Sequence, residues 1–299
     1  MKIPMPNAKD IWTLIRPLQW AKNMFLFLPA FFDGGLFRID ILKSVILAAL
    51  SFCMASSAVY CLNDIFDAKY DSVHPVKRLR PIPSGRISRH AAFVISIFCI
   101  CISMLILSMM EHTISLDVGG IIIIYLFFNF LYCIKLKHIV IVDVFIIATG
   151  FVFRLVVGGI SAGVHLTHWI IMMTFLLSLF LAFAKRRDDV AIYERTGKSM
   201  RDNITRYNLP FMNQTIGIIG SVTMVCYVMY TVNQDVISRV GSPYLYTTSV
   251  FVLAGIIRYL QLTIVDIQSG SPTKILLHDR FLQLCISGWG LAFFFLIYT

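Results

Sequence analysis

Long hydrophobic stretches without charged residues recur along the whole chain, separated by shorter polar segments. Residues 44–63, 91–110, 207–234 and 281–299 are examples. Each is long enough to cross the ~30 Å hydrocarbon core of a bilayer as an α-helix. The pattern predicts nine membrane-spanning helices, the fifth of them broken by Arg154, with centres near Leu28, Phe52, Cys101, Leu126, Phe151, Leu176, Val225, Phe251 and Trp289.

The composition also indicates an integral membrane protein. Of the 299 residues, 58% are hydrophobic and only 14% are charged, and the mean hydropathy is +0.79. A chain with so little polar surface does not fold as a water-soluble globule. Because no low-complexity tract or linker interrupts the sequence, we expect residues 1–299 to form a single all-α membrane domain.

The basic residues are distributed unevenly between alternate loops, and this predicts an orientation. With the N-terminus in the cytoplasm, 22 of the 26 Lys and Arg residues fall in cytoplasmic segments; Arg38, Lys43 and Arg239 lie outside, and Arg154 lies within a span. The positive-inside rule therefore favours the inner (cytoplasmic) membrane with the C-terminus outside. The net charge of +10 on one face suits anionic lipid or a polyanionic soluble substrate, and nucleic acid is not expected.

The most highly charged loop follows the second predicted span and reads CLNDIFDAKYDSVHPVKRLRPIPSGRIS over residues 61–88. On a helix, Asn63, Asp64, Asp67 and Asp71 fall within an arc of about 100°. Three carboxylates so close together repel one another unless a cation sits among them. Carboxylate oxygens are suitable ligands for Mg²⁺, and substrate phosphates often complete its coordination. The motif predicts a magnesium site.

The residues after this motif are basic and rich in proline. Lys77, Arg78 and Arg80 place positive charge directly beside the predicted metal ion. A metal ion with adjacent cations is suited to binding a diphosphate. The structural alternative is a solvated helix end of mixed charge that only anchors the span in the membrane.

The same residues resemble a known family. The spacing N-D-x-x-D-x-x-x-D at Asn63, Asp64, Asp67 and Asp71 resembles the first aspartate-rich motif of the UbiA prenyltransferase superfamily. Within that superfamily, four stretches are similar to the polyprenyl-phosphate (decaprenyl-phosphate) phosphoribosyltransferase branch: RPLQWAKN, NDIFDAKYDSVHPVKRLRPIPSG, VDVFIIATGFVFRLVVGG and AKRRDDVAIYERTGKSMR. The resemblance covers nearly the whole chain.

The resemblance implies a fold and an activity. The fold is a bundle of nine helices whose central cavity opens to the cytoplasmic face. Mg²⁺ is held by Asp64, Asp67 and Asp71, which are the expected catalytic residues, and Asn63 contacts a substrate phosphate. The reaction moves 5-phosphoribose from 5-phosphoribosyl 1-diphosphate to a polyprenyl monophosphate and releases diphosphate. The product is a lipid-linked phosphoribose precursor for cell-envelope polysaccharide. Because the attacking phosphate is already anionic, no strong general base is needed.

The sequence departs from the family at its second motif. Prenyl-transferring members usually carry a D-x-x-x-D pair after the sixth span, where this chain has Lys185 and Asp189. Asp189, Tyr193 and Arg186 fall on the same helical stripe as Lys185. The added cations shift this region from binding metal toward recognising phosphate. The candidates here are Lys185 and Asp189 as catalytic residues and Arg186, Tyr193 and Arg201 as phosphate-binding residues, with Arg187, Arg195 and Lys198 nearby; ordinary positive-inside charges are the alternative.

Further ionisable residues within or beside spans are functional candidates, because burying charge in a membrane is costly. Arg154 lies in the fifth span and Asp143 near its cytoplasmic end, about three turns apart, so that they do not pair directly. Arg154 is predicted to meet a substrate phosphate, with a structural partner on another helix as the alternative. Lys135 and Lys137 are predicted to hold the lipid phosphate, although snorkelling anchors have the same pattern. Lys22 in RPLQWAKN is another predicted phosphate contact.

The residues alone allow two other functions. A UbiA-type prenyltransferase would use an allylic polyprenyl diphosphate and an aromatic or other small acceptor, but should retain the second aspartate pair that Lys185 breaks. A transporter would place its polar groups near the membrane midplane. Here the polar groups concentrate toward the predicted cytoplasmic face.

Overall fold

The computed structural model describes residues 7–73, 76–197, 204–267, 275–276 and 278–298. In these ranges all regular structure is helical. The α-helices are α1 (Ala8–Ile15), α2 (Leu28–Phe32), α3 (Ile39–Asp71), α4 (Arg89–Leu107), α5 (His112–Ile134), α6 (Val142–Ala162), α7 (His168–Thr196), α8 (Leu209–Thr231), α9 (Gln234–Val240), α10 (Ser249–Ile264) and α11 (Arg280–Tyr298). Short 3-10 helices cover Pro17–Phe27, Lys77–Leu79, Leu136–His138, Ile204–Arg206 and Pro243–Thr248.

Eight helical segments in the described ranges are long and apolar enough to cross a membrane: α3 to α8, α10 together with the 3-10 helix before it, and α11. Eight of the nine predicted span centres, from Phe52 to Trp289, fall inside these segments. Arg154 does not interrupt α6, which continues through it to Ala162. The prediction of an all-α, multi-pass membrane protein is confirmed.

The segment predicted as the first span is built differently. Residues 17–32 form a 3-10 helix followed directly by α2, which together rise roughly 30 Å. The two ends of this segment meet opposite ends of α3: Arg16 pairs with Asp64, and Ala30 shares a core cluster with Val45. The segment therefore runs antiparallel to α3 over about the thickness of a bilayer. The count of nine spans and the central cavity stay predictions.

The chain divides into two compact units. The first comprises Met1–Phe31, Gly35–Lys137 and Phe153–His165; the second comprises Phe32–Gly34, His138–Val152 and Leu166–Thr299. The single membrane domain predicted from the sequence stays a prediction.

The core of the first unit forms around α3. Phe52, Tyr125 and Val157 are buried together, and the Phe52 and Tyr125 rings are 4.6 Å apart between centroids. Gly158 allows α6 to approach the 3-10 helix closely, because an added Cβ would lie only 2.1 Å from the carbonyl oxygen of Leu26. This unit carries the predicted aspartate motif at the end of α3.

The core of the second unit forms among α6, α7, α8, α10 and α11. Phe180, Ile216, Tyr259 and Leu282 belong to one buried cluster. Apolar packing in this unit positions the C-terminal half of α7, where the second predicted motif lies. Many other apolar side chains remain exposed in both units, as expected for surfaces that face lipid.

Candidate functional site

The aspartate motif lies on the last turns of α3. This helix has 33 residues, so it is about 50 Å long and exceeds the ~30 Å hydrocarbon core. The motif is helical, as its spacing required, and the Asp64 and Asp71 side chains are buried to 2% and 4% exposure. Two buried carboxylates on the same face of a helix, two turns apart, need compensating positive charge.

Arg80 supplies positive charge to both carboxylates. Its Nη1 lies 3.3 Å from Asp64 Oδ1 and 2.5 Å from Asp71 Oδ2. Lys77 Nζ lies 3.7 Å from the other oxygen of Asp71, and Arg16 pairs with Asp64. One cationic nitrogen therefore lies between two aspartates of the motif.

Asp67 has a separate set of partners. Lys137, from the 3-10 helix Leu136–His138, pairs with its Oδ1, and Asn63 Nδ2 donates to its Oδ2 at 2.9 Å. Cys133 Sγ lies 3.6 Å from Asn63 Oδ1. We call Asn63, Asp64, Asp67 and Asp71, together with Arg16, Lys77, Arg80 and Lys137, the first polar cluster. The structure brings all four predicted motif residues together with three predicted phosphate contacts, Lys77, Arg80 and Lys137.

The loop after α3 folds so that Arg80 is held beside the aspartates. Ile82 and Ile87 are buried in a small core with residues of α1, α3 and α4. Arg86 Nη2 donates to the Leu79 carbonyl at 2.6 Å, and its Nη1 lies 3.3 Å from Asp10 Oδ1. The basic loop is thus anchored by its apolar residues and by Arg86, and it is more than a solvated connector.

Arg16 was not among the predicted site residues. It has a positive φ of 53° between α1 and the first 3-10 helix, a backbone conformation that is uncommon for residues other than glycine. Its side chain reaches Asp64 and lies over the ring of Tyr60, 5.2 Å from the centroid. The sequence signal was present, because Arg16 is the first residue of the stretch RPLQWAKN.

The first polar cluster suits a metal ion that is shared with a substrate. Among the described residues, no group of three or more His, Cys, Asp or Glu forms a ready-made metal cage. Mg²⁺ does not require one, since it is usually bound by one or two carboxylates plus substrate phosphates and water. The position between Asp64 and Asp71 already accommodates a cation in the form of Arg80. Hard carboxylate oxygens of this kind fit Mg²⁺.

Arg154 lies deeper in the first unit, in a network of polar and aromatic groups. Its Nε donates to Asn23 Oδ1 at 2.7 Å, and its guanidinium lies 4.9 Å and 5.4 Å from the ring centroids of Phe52 and Tyr125. Asn23 Nδ2 in turn donates to Cys53 Sγ at 3.0 Å. These contacts stabilise a buried cation through hydrogen bonding and cation–π attraction.

A second polar cluster lies in the second unit and consists of Asp143, Lys185, Arg186 and Asp189. Arg186 Nη2 pairs with Asp143 Oδ2, and its Nη1 lies 3.2 Å from Asp189 Oδ2. Arg186 and Asp143 are almost fully buried, whereas the neighbouring Lys185 is exposed. The structure thus brings Asp143 of α6 to the second motif. The D-x-x-x-D spacing concerns residues of α7 only, so it could not indicate this carboxylate.

The start of α6, which carries Asp143, is held in an uncommon conformation. Ile141 has a φ of 71°, which is strained for a β-branched residue, and its backbone N–H donates to Tyr207 Oη at 2.8 Å. Burial raises the pKa of the Tyr207 hydroxyl, so it remains protonated near neutral pH. Tyr207 thereby helps to position Asp143.

Arg187 has a structural role. Its Nε donates to Asn213 Oδ1 at 2.7 Å, and its two terminal nitrogens donate to the carbonyl oxygens of Thr263 and Ile264 at 2.7 and 3.3 Å. These carbonyls are the last two of α10, where helical carbonyl groups commonly need a partner from outside the helix. The sequence grouped Arg187 with phosphate-recognising cations, but here its guanidinium joins α7, α8 and α10.

The other predicted residues lie outside these contacts. Arg78 and Lys135 are exposed, Lys22 and Tyr193 are partly buried, and Arg201 lies outside the described residues. Their predicted phosphate contacts stay predictions.

Comparison with known proteins supports the family assigned from the motif. The model of the UbiA prenyltransferase family matches residues 24–282. The chain belongs to this family. A UbiA homolog from Archaeoglobus fulgidus, solved bound to GPP and Mg²⁺, has a TM-score of 0.69 at 16% identity, covering 97% of this chain and 100% of that one. This likeness shows that the chain has the UbiA fold.

Curated relatives of this UbiA-family chain carry a more specific name. The decaprenyl-phosphate phosphoribosyltransferase of Mycobacterium tuberculosis is 30% identical over 282 residues, covering 92% of this chain and 90% of that protein. The enzyme of the same name from Corynebacterium glutamicum is 27% identical over 289 residues, covering 96% of this chain and 86% of that protein.

Proposed function

We propose that this UbiA-family protein is an enzyme that transfers 5-phosphoribose from 5-phosphoribosyl 1-diphosphate to a polyprenyl monophosphate. The observation that carries the proposal is the near full-length similarity to decaprenyl-phosphate phosphoribosyltransferases. The lipid-linked phosphoribose product would serve as a precursor for cell-envelope polysaccharide. The enzyme acts in the inner membrane, with its N-terminus and active face toward the cytoplasm and its C-terminus outside.

The first polar cluster is suited to the diphosphate of the donor. Asp64, Asp67 and Asp71 would hold Mg²⁺, which neutralises the diphosphate and orients it as a leaving group. Lys77, Arg80 and Lys137 are within reach of the same carboxylates, and they exchange these contacts for phosphate oxygens when the donor binds. The side chains of these three cations are 13–34% exposed, so they can move without breaking a packed core.

The transfer step breaks the bond between the anomeric carbon of ribose and a diphosphate oxygen. The bond that forms joins the same carbon to an oxygen of the polyprenyl monophosphate. This oxygen carries negative charge near neutral pH, so the protein does not need to remove a proton from it. The task of the protein is to bring two polyanions together and to stabilise developing charge, which explains the large excess of cations.

The remaining predicted residues are proposed to bind phosphate groups or to support those that do. Arg154 and Lys22 lie in the first unit, and Lys185, Asp189 and Tyr193 lie in the second. Lys185 is exposed and belongs to a cluster that already contains a balancing pair of carboxylates. We propose that its ammonium group contacts a substrate phosphate.

A transfer assay tests the proposal. Purified protein in detergent is incubated with radiolabelled 5-phosphoribosyl 1-diphosphate and a polyprenyl monophosphate, with Mg²⁺ or with EDTA, and the label in the organic phase is counted. We expect label in the lipid only with Mg²⁺. If the protein instead transfers the prenyl group of an allylic diphosphate such as GPP to an aromatic acceptor, with release of diphosphate, and no labelled ribose enters the polyprenyl lipid, it is a prenyltransferase.

A matched pair of variants connects the activity with the first polar cluster. Asp67→Asn should lower transfer by roughly 10²–10³-fold, since it removes charge where the diphosphate is stabilised. The Asp67 side chain is 24% exposed, and an asparagine at this position can still accept the hydrogen bond from Asn63 Nδ2, so the variant should remain folded. Asp40→Asn, at the exposed beginning of the same helix, is the control and should keep full activity. Full activity of folded Asp67→Asn would rule out the proposed metal site.

A further inference from the structure

The second polar cluster contains two carboxylates that share one internal cation. Arg186 lies between Asp143 on α6 and Asp189 on α7, and each terminal nitrogen of its guanidinium contacts one of them. The Arg186 side chain is 3% exposed, Asp143 is fully buried and Asp189 is 17% exposed. A buried bridge of this kind between two helices is held in place by packing as well as by charge.

This arrangement has no room for a dication. Mg²⁺ requires near-octahedral oxygen ligation at about 2.1 Å. One oxygen of each carboxylate is already bound to Arg186. The other oxygen of Asp143 is buried and accepts no hydrogen bond from any described residue. Because the Arg186 guanidinium lies beside both carboxylates, their two remaining oxygens form a poor metal site. The positive charges of Arg186 and Lys185 add repulsion.

The first polar cluster differs from the second in the exposure of its cations. Three carboxylates lie within two turns of α3, and the Lys77, Arg80 and Lys137 side chains that contact them are 13–34% exposed. These cations can leave when a metal and a phosphate arrive. Arg186 is held between two helices and cannot leave in the same way.

We propose that Arg186 takes the place of a second metal ion, so that this chain binds one divalent metal, in the first polar cluster only. The inference rests on the proposed metal site at Asp64, Asp67 and Asp71. Arg186 acts as a positioning residue: it neutralises Asp143 and Asp189 at any metal concentration, beside the exposed Lys185.

Counting bound metal tests the inference without measuring activity. The full chain in detergent is titrated with Mn²⁺ in the presence of inorganic diphosphate, and bound Mn²⁺ is counted by electron paramagnetic resonance. We expect one Mn²⁺ per wild-type chain and a loss of that ion in Asp67→Asn. The double variant Lys185→Asp/Arg186→Gln restores a D-x-x-x-D pair and removes the internal cation, so it should bind one additional Mn²⁺.

A control with the same change in charge excludes a general electrostatic effect. Arg38→Gln/Lys43→Asp replaces two exposed residues at the beginning of α3, away from both clusters, and should bind one Mn²⁺, as wild type does. Two Mn²⁺ ions per wild-type chain, or no gain in a folded double variant, would overturn the inference. If the double variant does not fold, the wild-type stoichiometry alone decides. One bound Mn²⁺ with no labelled lipid would refute the proposed function and leave this inference standing.

Discussion

Several buried charged groups in this protein bind partners from distant parts of the sequence. Arg16 is 48 residues from Asp64, Lys137 is 70 residues from Asp67, and Arg187 reaches the carbonyl of Thr263 across 76 residues. An isolated charge in a low-dielectric interior would cost several kcal/mol, so each such contact strongly constrains the fold. Cations that bind substrate must therefore be distinguished from cations that hold helices together.

Arg187 belongs to the second group, which leads to a prediction. Arg187→Met should lower stability by about 2–4 kcal/mol, because it leaves Asn213 and the last carbonyls of α10 without a donor. The melting temperature in detergent should fall by roughly 5–15 °C. Arg195→Met, exposed near the end of the same helix, should change stability by less than about 0.5 kcal/mol.

The role of Arg187 also shows in kinetics. Well below its melting temperature, Arg187→Met should keep the wild-type KM for 5-phosphoribosyl 1-diphosphate. A melting temperature like that of wild type combined with a tenfold higher KM would show instead that Arg187 binds phosphate. Arg187→Lys should not restore stability fully, since a single ammonium cannot reproduce the donors of the guanidinium fork.

The aspartate motif could be predicted because its pattern is local. Asn63, Asp64, Asp67 and Asp71 share one face of one helix, and helical periodicity is readable from adjacent positions. Arg16 and the pairing of Asp143 with Arg186 were not predicted, because they depend on which helices pack together. The structural role of Arg187 was hidden for the same reason.

At the scale of elements, α3 organises the first unit. The segment from Arg16 to Ala30 lies antiparallel along α3, and α6 packs closely against the same segment at Gly158. Hydropathy predicted that residues near Leu28 would form a span, but it did not predict a 3-10 helix. Pro17 at the first position and polar residues such as Asn23, which bonds to α3, favour this tighter and less regular path.

The close approach at Gly158 gives a prediction for this element. Gly158→Ala should destabilise the protein by about 1–3 kcal/mol, because the new Cβ would lie 2.1 Å from the backbone oxygen of Leu26 and one of the two segments must shift. Arg154 is one turn away on α6, so its 2.7 Å hydrogen bond to Asn23 should lengthen. The measurements are the melting temperature and the KM for each substrate.

Gly120→Ala on α5 is the matched control. A Cβ at this position would meet nothing within 4 Å, so its melting temperature should stay the same or rise slightly. If Gly158→Ala were as stable as Gly120→Ala, the 3-10 helix would not pack against α6 as described.

At the scale of the whole molecule, the distribution of charge predicts the orientation in the membrane. Lys9 and Arg78 belong to segments predicted to face the cytoplasm, whereas Arg38 and Gln234 belong to short loops predicted to lie outside. The eight long helical segments alone do not determine the side of the N-terminus. That side depends on whether residues 17–32 cross the membrane, as their antiparallel path along α3 indicates.

Labelling of single cysteines distinguishes the two topologies. Single cysteines are introduced at four exposed positions, as Lys9→Cys, Arg38→Cys, Arg78→Cys and Gln234→Cys. The background is Cys101→Ser, because the other six native cysteines are buried. In spheroplasts, a membrane-impermeant maleimide should label Arg38→Cys and Gln234→Cys but reach Lys9→Cys and Arg78→Cys only after lysis. Labelling of Lys9→Cys and Arg38→Cys from the same side would mean that residues 17–32 do not cross and that the chain has eight spans. Labelling of Arg78→Cys in intact spheroplasts would place the first polar cluster outside, where a cytoplasmic phosphoribosyl donor could not reach it.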